Sequence, residues 1–403
     1  MNFLRQKIYR YDLNFFNPLI INKSYLKKKI KTFLKKNFFY ENIIFVNMAR
    51  VGLYLVLKII VNKKKNIIIM SPFTIFDIVN KILSSGATPR FVDSYKYQPH
   101  ISFKEIKKAY NKNVVAVLVT HYHSCHPEID KIKKFCNLKK IYLIEDCAIS
   151  LGSKFKGKYV GNFGDFAIFS FGVYKFISTP LGGMVRSKTK KNYKKILKLI
   201  NPKNINFFLL FYFFIKGGVL KFLMNNSILK FIIKKTIKFG IYFNIKFIDK
   251  ILNNDPNPKK NIKKPFYLNT NPSKFQIYGI HNQLQNINPD LYMRSKNAKF
   301  FEKFIKNKRI TKPKLNFYSD PILSYPILSK NKNKLYKKLI LNNFDISNYF
   351  YRNCGKLNEF KKYKSSRTLN NIDFFSKHVL CLPVYPGLNS KYIQKLSKKI
   401  NEF

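Results

Sequence analysis

Short apolar runs alternate with segments of helical spacing along the first half of the chain. The apolar runs occupy residues 43–46, 67–70, 114–119 and 141–144. Continuous runs of this length are typical of strands buried on both faces of a parallel sheet. Apolar residues with helical spacing occupy 53–60 and 129–135, and Thr74 is a candidate cap for a helix that runs to about Ser84. This rhythm predicts an α/β fold with a large, mainly parallel sheet.

Polar residues come directly after several of these predicted strands. Asp93, His121 and Asp146 each follow a strand. Ligands of open α/β sheets bind at the carboxyl ends of the strands. The pattern therefore places a candidate site at one edge of the sheet, with Asp146 in it.

Two changes of pattern divide the rest of the chain. Residues 199–262 break the alternation, and after about residue 285 the pattern becomes a helix, short strands and a final helix near 389–401. We therefore predict an N-terminal segment at 1–42, a large domain at 43–284 with an apolar, basic insertion at about 199–262, and a smaller C-terminal α/β domain at 285–403.

The insertion contains an unbroken apolar run at residues 207–215. It is shorter than the roughly 20 residues that a membrane-spanning helix needs. Because it is apolar on every side, it is not an ordinary amphipathic surface helix. Burial in the core, a dimer interface and contact with a membrane surface all stay open, the last because Lys230, Lys234, Lys235 and Lys238 follow.

The composition is strongly basic, with 77 Lys and Arg against 19 Asp and Glu and a formal net charge of +58. The lysines are spread along the whole chain, and abundant Lys, Asn, Ile and Phe with no Trp indicate the coding bias of an AT-rich genome. Nucleic-acid binding, which composition alone suggests, is therefore not predicted as the function. The charge favours anionic substrates or an anionic membrane surface.

The cysteines and the N-terminus indicate the cellular compartment in which we expect the protein. Five of them are scattered without a C-x-x-C pair, and the N-terminus has no continuous apolar stretch of the kind that signal peptides carry. We expect a reduced, cytoplasmic protein, with peripheral contact at the inner face of the membrane as an open alternative.

The most informative segment for chemistry is 141–185. It contains a strand ending at Asp146, a Gly164-Asp165 step, a strand over 166–171, then Lys175 and Gly182-Gly183. A pyridoxal phosphate cofactor needs a lysine that bonds its aldehyde and a carboxylate that keeps its ring nitrogen protonated. It also needs small residues where the backbone packs against ring and phosphate. The segment supplies each of these residue types.

This segment resembles the DegT/DnrJ/EryC1/StrS family of sugar aminotransferases. The shared features are Glu145-Asp146, Gly164-Asp165, Ser170-Phe171, Lys175 and Gly182-Gly183. Further resemblances cover most of the chain, namely residues 49–54, residues 71–93, His121, the segment 269–273 with Gln276, Gly279 and Gln283-Leu284, and the C-terminal stretches 325–327 and 382–386.

The resemblance implies the fold-type I aminotransferase architecture and a set of roles. Lys175 would be the Schiff-base lysine, and Asp146 would pair with the pyridine nitrogen. Ser170 and the backbone of Ala49, Arg50 and Val51 would hold the phosphate, and His121 would contact cofactor or substrate. Asn269 would reach the cofactor phosphate of the partner subunit, so the active unit would be a homodimer.

The implied activity is transfer of an amino group, from glutamate, to a nucleotide-linked keto-deoxysugar that feeds surface polysaccharide or a glycoside. Some relatives are dehydratases with His in place of the lysine, so Lys175 favours transamination. Ile149, Ile75, Met48-Ala49 and Asn271 depart from the family's residues. They motivate the alternative of an inactive binding or regulatory protein on the same fold.

The segment 121–126, His-Tyr-His-Ser-Cys-His, is a candidate metal site because imidazole and thiolate are good metal ligands. Its spacing fits no standard zinc pattern, and histidines are common in loops. No metal site is predicted.

Overall fold

A computed structural model describes residues 22–172, 175–243, 269–314, 320–348, 351–366 and 368–403. The first half of the predicted N-terminal segment, residues 1–21, and the last part of the insertion, residues 244–262, lie outside the described residues. The described strands are β1 Ile43–Val46, β2 Ile67–Met70, β3 Phe73–Thr74, β4 Thr88–Phe91, β5 Val114–Thr120, β6 Tyr142–Asp146, β7 Lys154–Phe155, β8 Lys158–Tyr159, β9 Phe166–Ser170, β10 Gly183–Ser187, β11 Asn201–Asn204, β12 Thr270–Asn271, β13 Ile310–Thr311, β14 Ser324–Ser329, β15 Ser347–Asn348, β16 Arg352–Asn353 and β17 Val379–Pro383.

The described α-helices follow the same order. They are α1 Lys23–Phe38, α2 Ala49–Ile60, α3 Phe76–Ser84, α4 Phe103–Ala109, α5 Ile129–Leu138, α6 Lys190–Lys198, α7 Phe207–Asn225, α8 Ser227–Tyr242, α9 Lys274–Gln285, α10 Ile287–Phe304, α11 Lys332–Leu341, α12 Asn370–His378 and α13 Ser390–Asn401. Two short 3₁₀ helices, Cys354–Lys356 and Lys361–Tyr363, lie between β16 and α12.

A seven-stranded sheet with the order β1-β10-β9-β6-β5-β2-β4 forms the centre of the molecule. Its strands from β9 to β4 are parallel, and β10 and β1 are antiparallel to their neighbours. The predicted α/β fold with a mainly parallel sheet is confirmed. The four apolar runs predicted as strands correspond to β1, β2, β5 and β6.

Side chains alternate between two cores because successive residues of a strand point to opposite faces of the sheet. In β9, Phe166 and Ile168 join one core, while Ala167 and Phe169 join the other. Helices cover both faces, so every residue of β5 is buried. This two-sided burial explains why the strands read as unbroken apolar runs.

One local prediction, the helix cap at Thr74, is wrong. Thr74 belongs to β3, which pairs with β16, and α3 begins at Phe76 with Ile75 as its cap residue. The Thr74 backbone is thus engaged in a strand pairing with a segment nearly 280 residues further along the chain. Local sequence carries no signal for such a distant pairing.

The C-terminal part contains a second sheet with the order β13-β14-β17-β15, in which neighbours are antiparallel. Helices α10, α11 and α13 contribute Phe301, Leu335 and Ile393 to its core. Helix α10 belongs to both parts, because its first residue, Ile287, lies in the core of the large sheet. The boundary at residue 285 stays a prediction.

Within the insertion, the apolar run begins α7, and α8 follows it. Leu210 and Phe214 are buried against the main core, whereas Phe208 on the same helix is 79% exposed. Among the described residues, no helix has the length and apolarity needed to cross a membrane. The five cysteines are unbridged and buried.

Candidate active site

Asp146 is the last residue of β6 and lies at the carboxyl edge of the sheet. Its two carboxylate oxygens accept hydrogen bonds from the Ala148 amide at 3.0 Å and from the Thr120 hydroxyl at 3.4 Å. Burial raises the pKa of Asp146, and the hydrogen bond from Ala148 and the charge of Lys175 oppose that shift. Asp146 is thus a partly buried carboxylate whose two oxygens are both oriented by hydrogen bonds.

Lys175 lies in the loop that connects β9 to β10. Its own amide donates to Gly172 O at 3.0 Å, and Phe171 N donates to Gly182 O at 3.0 Å. Burial lowers the pKa of the Lys175 amine to about 8, the charge of Asp146 raises it, and the charge of Arg50 lowers it. Each charge acts on the pKa of the other group, so the amine and the Asp146 carboxylate lie within electrostatic reach of each other.

A helix from another part of the sequence fixes the loop that carries Lys175. The side-chain amide of Gln283 in α9 bonds both backbone groups of Ser178, at 2.8 Å each. Gln276, about two turns earlier on the same face of α9, donates to Leu181 O at 2.9 Å. Two buried glutamines therefore act as clamps on this loop, and an amide is suited to the task because it both donates and accepts.

The amino end of α2 lies beside Ser170. Ser170 pairs with Gly183 across β9 and β10, and Met48 forms a bridge to Gly182. A side-chain carbon at Gly183 would lie 2.8 Å from the Ala49 nitrogen. Only glycine allows the first turn of α2 to approach the strand so closely. The result is a helix amino end, a hydroxyl and Lys175 at one edge of the sheet, which suits an anionic group such as phosphate.

The three residues of α2 predicted to hold the phosphate differ in whether their backbone N–H has an acceptor within the helix. Val51 N donates to Met48 O at 3.0 Å and its side chain is buried, so its amide is already engaged. The first amides of a helix have no acceptor within that helix, which leaves Ala49 and Arg50 better placed for a phosphate. The Arg50 guanidinium pairs with Asp77 of α3.

His121 lies at the end of β5 but both of its ring nitrogens face protein groups. Its Nε2 is 2.9 Å from Glu145 Oε2, and its Nδ1 accepts from His126 N at 3.0 Å. The ring therefore donates from Nε2 and accepts at Nδ1. The contact of His121 with cofactor or substrate stays a prediction. Because both ring nitrogens are engaged, such a contact would use the face of the imidazole ring.

Glu145, the neighbour of Asp146, points to the opposite face of the sheet and organises a loop. Its carboxylate accepts from Gly161 N at 2.7 Å, from Gly164 N and from His121. Burial would raise its pKa, but these hydrogen bonds lower it overall. Heteroatoms of His121, Glu145 and Cys147 lie within 4.8 Å of one another. Since the imidazole and carboxylate of this group are occupied by hydrogen bonds, we assign no metal to it.

Three aromatic rings pack beside Asp146. Phe73, Tyr122 and Tyr351 have ring centroids 5.7 to 5.9 Å apart. Burial and the negative charge of Asp146 both raise the pKa of Tyr351. Tyr351 comes from the C-terminal part of the chain, so that part closes over the Asp146 side of the site. Phe76, at the start of α3, is half-buried and lies beneath the Arg352 guanidinium.

Asn269 begins the described segment that leads to α9. Its side-chain amide donates to Leu199 O at 2.6 Å, and the next residue, Thr270, accepts from Asn47. Asn271, which replaces the family's Arg, donates to Pro202 O at 3.0 Å. The segment thus lies against the residue that precedes Met48 and α2. Its role across a dimer stays a prediction.

Three residues that shape the site had no role assigned from the sequence: Glu145, Gln283 and Tyr351. The sequence around Glu145 does indicate a structural role, since a carboxylate in a buried strand needs hydrogen-bond partners. The sequence around Tyr351 gives no such indication, because Tyr351 reaches the site from a segment some 200 residues after Asp146.

Comparison with known proteins places this geometry in a family. Residues 24–203 match the model of the DegT/DnrJ/EryC1/StrS aminotransferase family, a range that contains each predicted site residue except Asn269. The chain is 35% identical over 152 residues to GDP-perosamine synthase of Escherichia coli O157:H7. That match spans 38% of this chain and 42% of the relative, so it covers about two fifths of the relative's length.

Two further comparisons extend over more of the chain. It is 26% identical to UDP-4-amino-4,6-dideoxy-N-acetyl-beta-L-altrosamine transaminase of Campylobacter jejuni, over 81% of this chain and 76% of the relative. The crystal structure of a DegT DnrJ EryC1 StrS aminotransferase from Brucella abortus superimposes with a TM-score of 0.73 at 15% identity, covering 100% of this chain and 95% of that one. The motifs, the fold and these matches agree for residues 24–203, which match the DegT/DnrJ/EryC1/StrS aminotransferase family.

Proposed function

We propose that this protein is a pyridoxal-phosphate-dependent aminotransferase that acts on a nucleotide-linked keto-sugar. One observation carries the proposal. The Lys175 amine, with its pKa lowered to about 8, and the partly buried Asp146 carboxylate lie within electrostatic reach of each other at the carboxyl edge of the sheet. Perturbed titratable groups that meet in such a place are typical of catalytic sites.

The residues present fit the cofactor. Aminotransferases of this family depend on pyridoxal phosphate. Lys175 would bond its aldehyde, and Asp146 would pair with its ring nitrogen. Ser170 and the first amides of α2, at Ala49 and Arg50, would hold its phosphate. The close approach of α2 to Gly183 supports this fit, because it brings the helix amino end to the strand that carries Ser170.

The division of labour follows from the chemistry of each group. When bound, pyridoxal phosphate supplies an electron-withdrawing ring that stabilises negative charge on the substrate carbon. The negative charge of Asp146 would hold a proton on the ring nitrogen. Lys175, with a pKa near neutrality, is suited to take and return a proton at the substrate carbon. Tyr351 and Tyr122 would limit access of water on the Asp146 side.

The names of two relatives bear on the substrate. GDP-perosamine synthase and the altrosamine transaminase are named for nucleotide-linked amino sugars, which supports a nucleotide-sugar substrate. We propose glutamate as donor, a homodimer in which Asn269 serves the partner's site, and a cytoplasmic enzyme whose product enters surface polysaccharide or a glycoside.

An absorbance spectrum of the purified protein tests the proposal. With pyridoxal phosphate added, we expect the visible band of a lysine-bound cofactor, and we expect glutamate to bleach that band. Addition of 2-oxoglutarate, which has no amino group, is the matched control and should leave the band intact. A band that no amino donor alters would favour the inactive binding protein, for which Ile149 and Asn271 are the motive. Absence of any band would contradict both readings.

The lowered pKa of Lys175 predicts how cofactor loading depends on pH. A neutral amine is the nucleophile. Lowering the pKa from 10.5 to about 8 raises its neutral fraction at pH 7 by roughly 300-fold. Below pH 8 the amine is mainly protonated, so the loading rate should rise about tenfold per pH unit and level off above pH 8.

Stopped-flow absorbance of the cofactor-free protein mixed with pyridoxal phosphate measures this profile. The same profile for a peptide lysine or free lysine in solution serves as the control. If the rate for the protein continued to climb toward pH 10 as it does for that control, the buried setting of Lys175 would be contradicted.

A further inference from the structure

Helices α7 and α8 form a hairpin whose inner side is already covered by protein. Leu210 and Phe214 of α7 are buried in the main core, and Ile233 of α8 packs against the C-terminal core. The hairpin is thus anchored to both parts of the chain. What remains open is its outer side.

The outer side of α7 carries a continuous apolar stripe. Its members are between 44% and 79% exposed and are spaced by four, three, four and three residues, which keeps them on one helix face: Phe208, Tyr212, Ile215, Val219 and Phe222. Three of the five are aromatic. An exposed row of this kind is a contact surface rather than ordinary scatter of surface apolar groups.

Helix α8 carries a second stripe with the same spacing. It consists of Ile228, Ile232, Lys235, Phe239 and Tyr242, and its four apolar members are between 52% and 72% exposed. Lys235 stands in the middle of the stripe, and its amine lies 5.4 Å above the ring of Phe231. We call the two stripes together the hairpin face.

The charge around the hairpin face has a single sign. No Asp or Glu occurs between Asp165 and Asp249 in the sequence, whereas α7 and α8 carry six lysines, of which Lys216 and Lys235 are described as exposed. A lysine next to an apolar row can lay its carbon chain on that row and extend its charge toward an anionic layer.

We propose that the hairpin face binds an anionic membrane surface. Aromatic and aliphatic side chains would enter the boundary between headgroups and acyl chains, and the lysines would meet anionic headgroups. A second copy of the chain fits less well. In a two-fold interface the same patch meets itself, so the lysines of the two copies would be brought together with no carboxylate on either hairpin.

Sedimentation of the full-length protein with vesicles tests this proposal. We expect binding to vesicles of phosphatidylcholine mixed with phosphatidylglycerol, and little binding to phosphatidylcholine alone. Binding should weaken at salt on the order of 1 M, where surface charges are screened within about 3 Å. Each of Lys216→Glu and Lys235→Glu should reduce the affinity by roughly fivefold or more, the equivalent of about 1 kcal/mol per lysine.

The triple variant Phe208→Ser, Tyr212→Ser and Phe222→Ser removes aromatic rings from α7 and should weaken vesicle binding at least about tenfold. The triple variant Phe39→Ser, Leu138→Ser and Tyr292→Ser is the matched control, since these residues are 67% to 76% exposed on other elements. It should bind vesicles as the wild type does. The thermal unfolding temperature, measured for both variants, shows that each is folded.

Light scattering on the same samples separates the alternatives. If the hairpin variant loses oligomeric mass while the wild type ignores anionic vesicles, a second copy covers the face and the proposal is overturned. Equal binding to neutral and anionic vesicles, or binding that survives the triple substitution, overturns it as well. None of these outcomes depends on aminotransferase activity, so the proposed function is tested separately.

Discussion

Substitution of Lys175 by Ala should abolish transamination while the protein stays folded. Lys175 is assigned both the bond to the cofactor and the proton transfer, so turnover should fall by more than about 10⁴-fold, the upper end for a single positioned proton-transfer group. The fold should survive, because the substitution removes an amine that burial disfavours in its charged form. Activity with a keto-sugar and the visible spectrum with pyridoxal phosphate measure the effect.

Lys188→Ala is the matched control for this substitution. Lys188 is an exposed lysine that follows β10, and its replacement should leave spectrum and turnover unchanged. Borohydride reduction of the wild type with cofactor bound, followed by peptide mapping, should label the peptide that contains Lys175. A label on a different lysine would show that the site has been assigned to the wrong residue.

Replacement of the Asp146 carboxylate by an amide is expected to have the second largest effect. In Asp146→Asn the side-chain oxygen can still accept from Ala148 N, and the new amide can donate to the Thr120 hydroxyl. The structure should therefore persist and some cofactor should still bind. The negative charge that would keep the ring nitrogen protonated is lost, so turnover should fall by about 10²–10⁴-fold.

Asp130→Asn is the corresponding control, since Asp130 lies in the first turn of α5 and pairs with the exposed Lys156. It should alter turnover little. Measurement of the cofactor dissociation constant beside turnover separates a role in chemistry from a general loss of binding. Near-normal turnover of Asp146→Asn would contradict the placement of this carboxylate at the ring nitrogen.

Much of the sheet and the core of the site could be predicted because their signals are local. Residues 114–119 and 141–144 are short unbroken apolar runs that alternate with segments of helical spacing, which is the pattern of buried strands in an α/β chain. Glu145 and then Asp146 directly follow the second of these runs. The Ser170, Lys175 and Gly182-Gly183 spacing is carried by a single continuous segment, so no long-range information was needed to bring these residues together.

Other features depend on contacts between distant segments. Thr74 looks like a helix cap from its neighbours, yet it pairs with Arg352 in a strand. His121 and Asp146 both follow strands of the same sheet, but His121 is engaged with Glu145 and His126 rather than directed at Asp146. Gln283 reaches Ser178 across 105 residues. None of these partners can be read from the residues that surround each position.

For the hairpin of α7 and α8, the sequence and the tertiary structure determine different things. The run at 207–215 is apolar on every side, so its sequence determines that it needs cover but contains no polar face to say which side turns outward. Only packing decides this. Leu210 and Phe214 turn to the main core because α7 lies against it, which leaves Phe208 and Tyr212 at the surface. By contrast, the pattern of apolar runs was enough to place Asp146 at the carboxyl edge of the sheet, because parallel strands all end on the same side of their sheet. The expectation that Lys175 joins it came from the resemblance of residues 141–185 to the family.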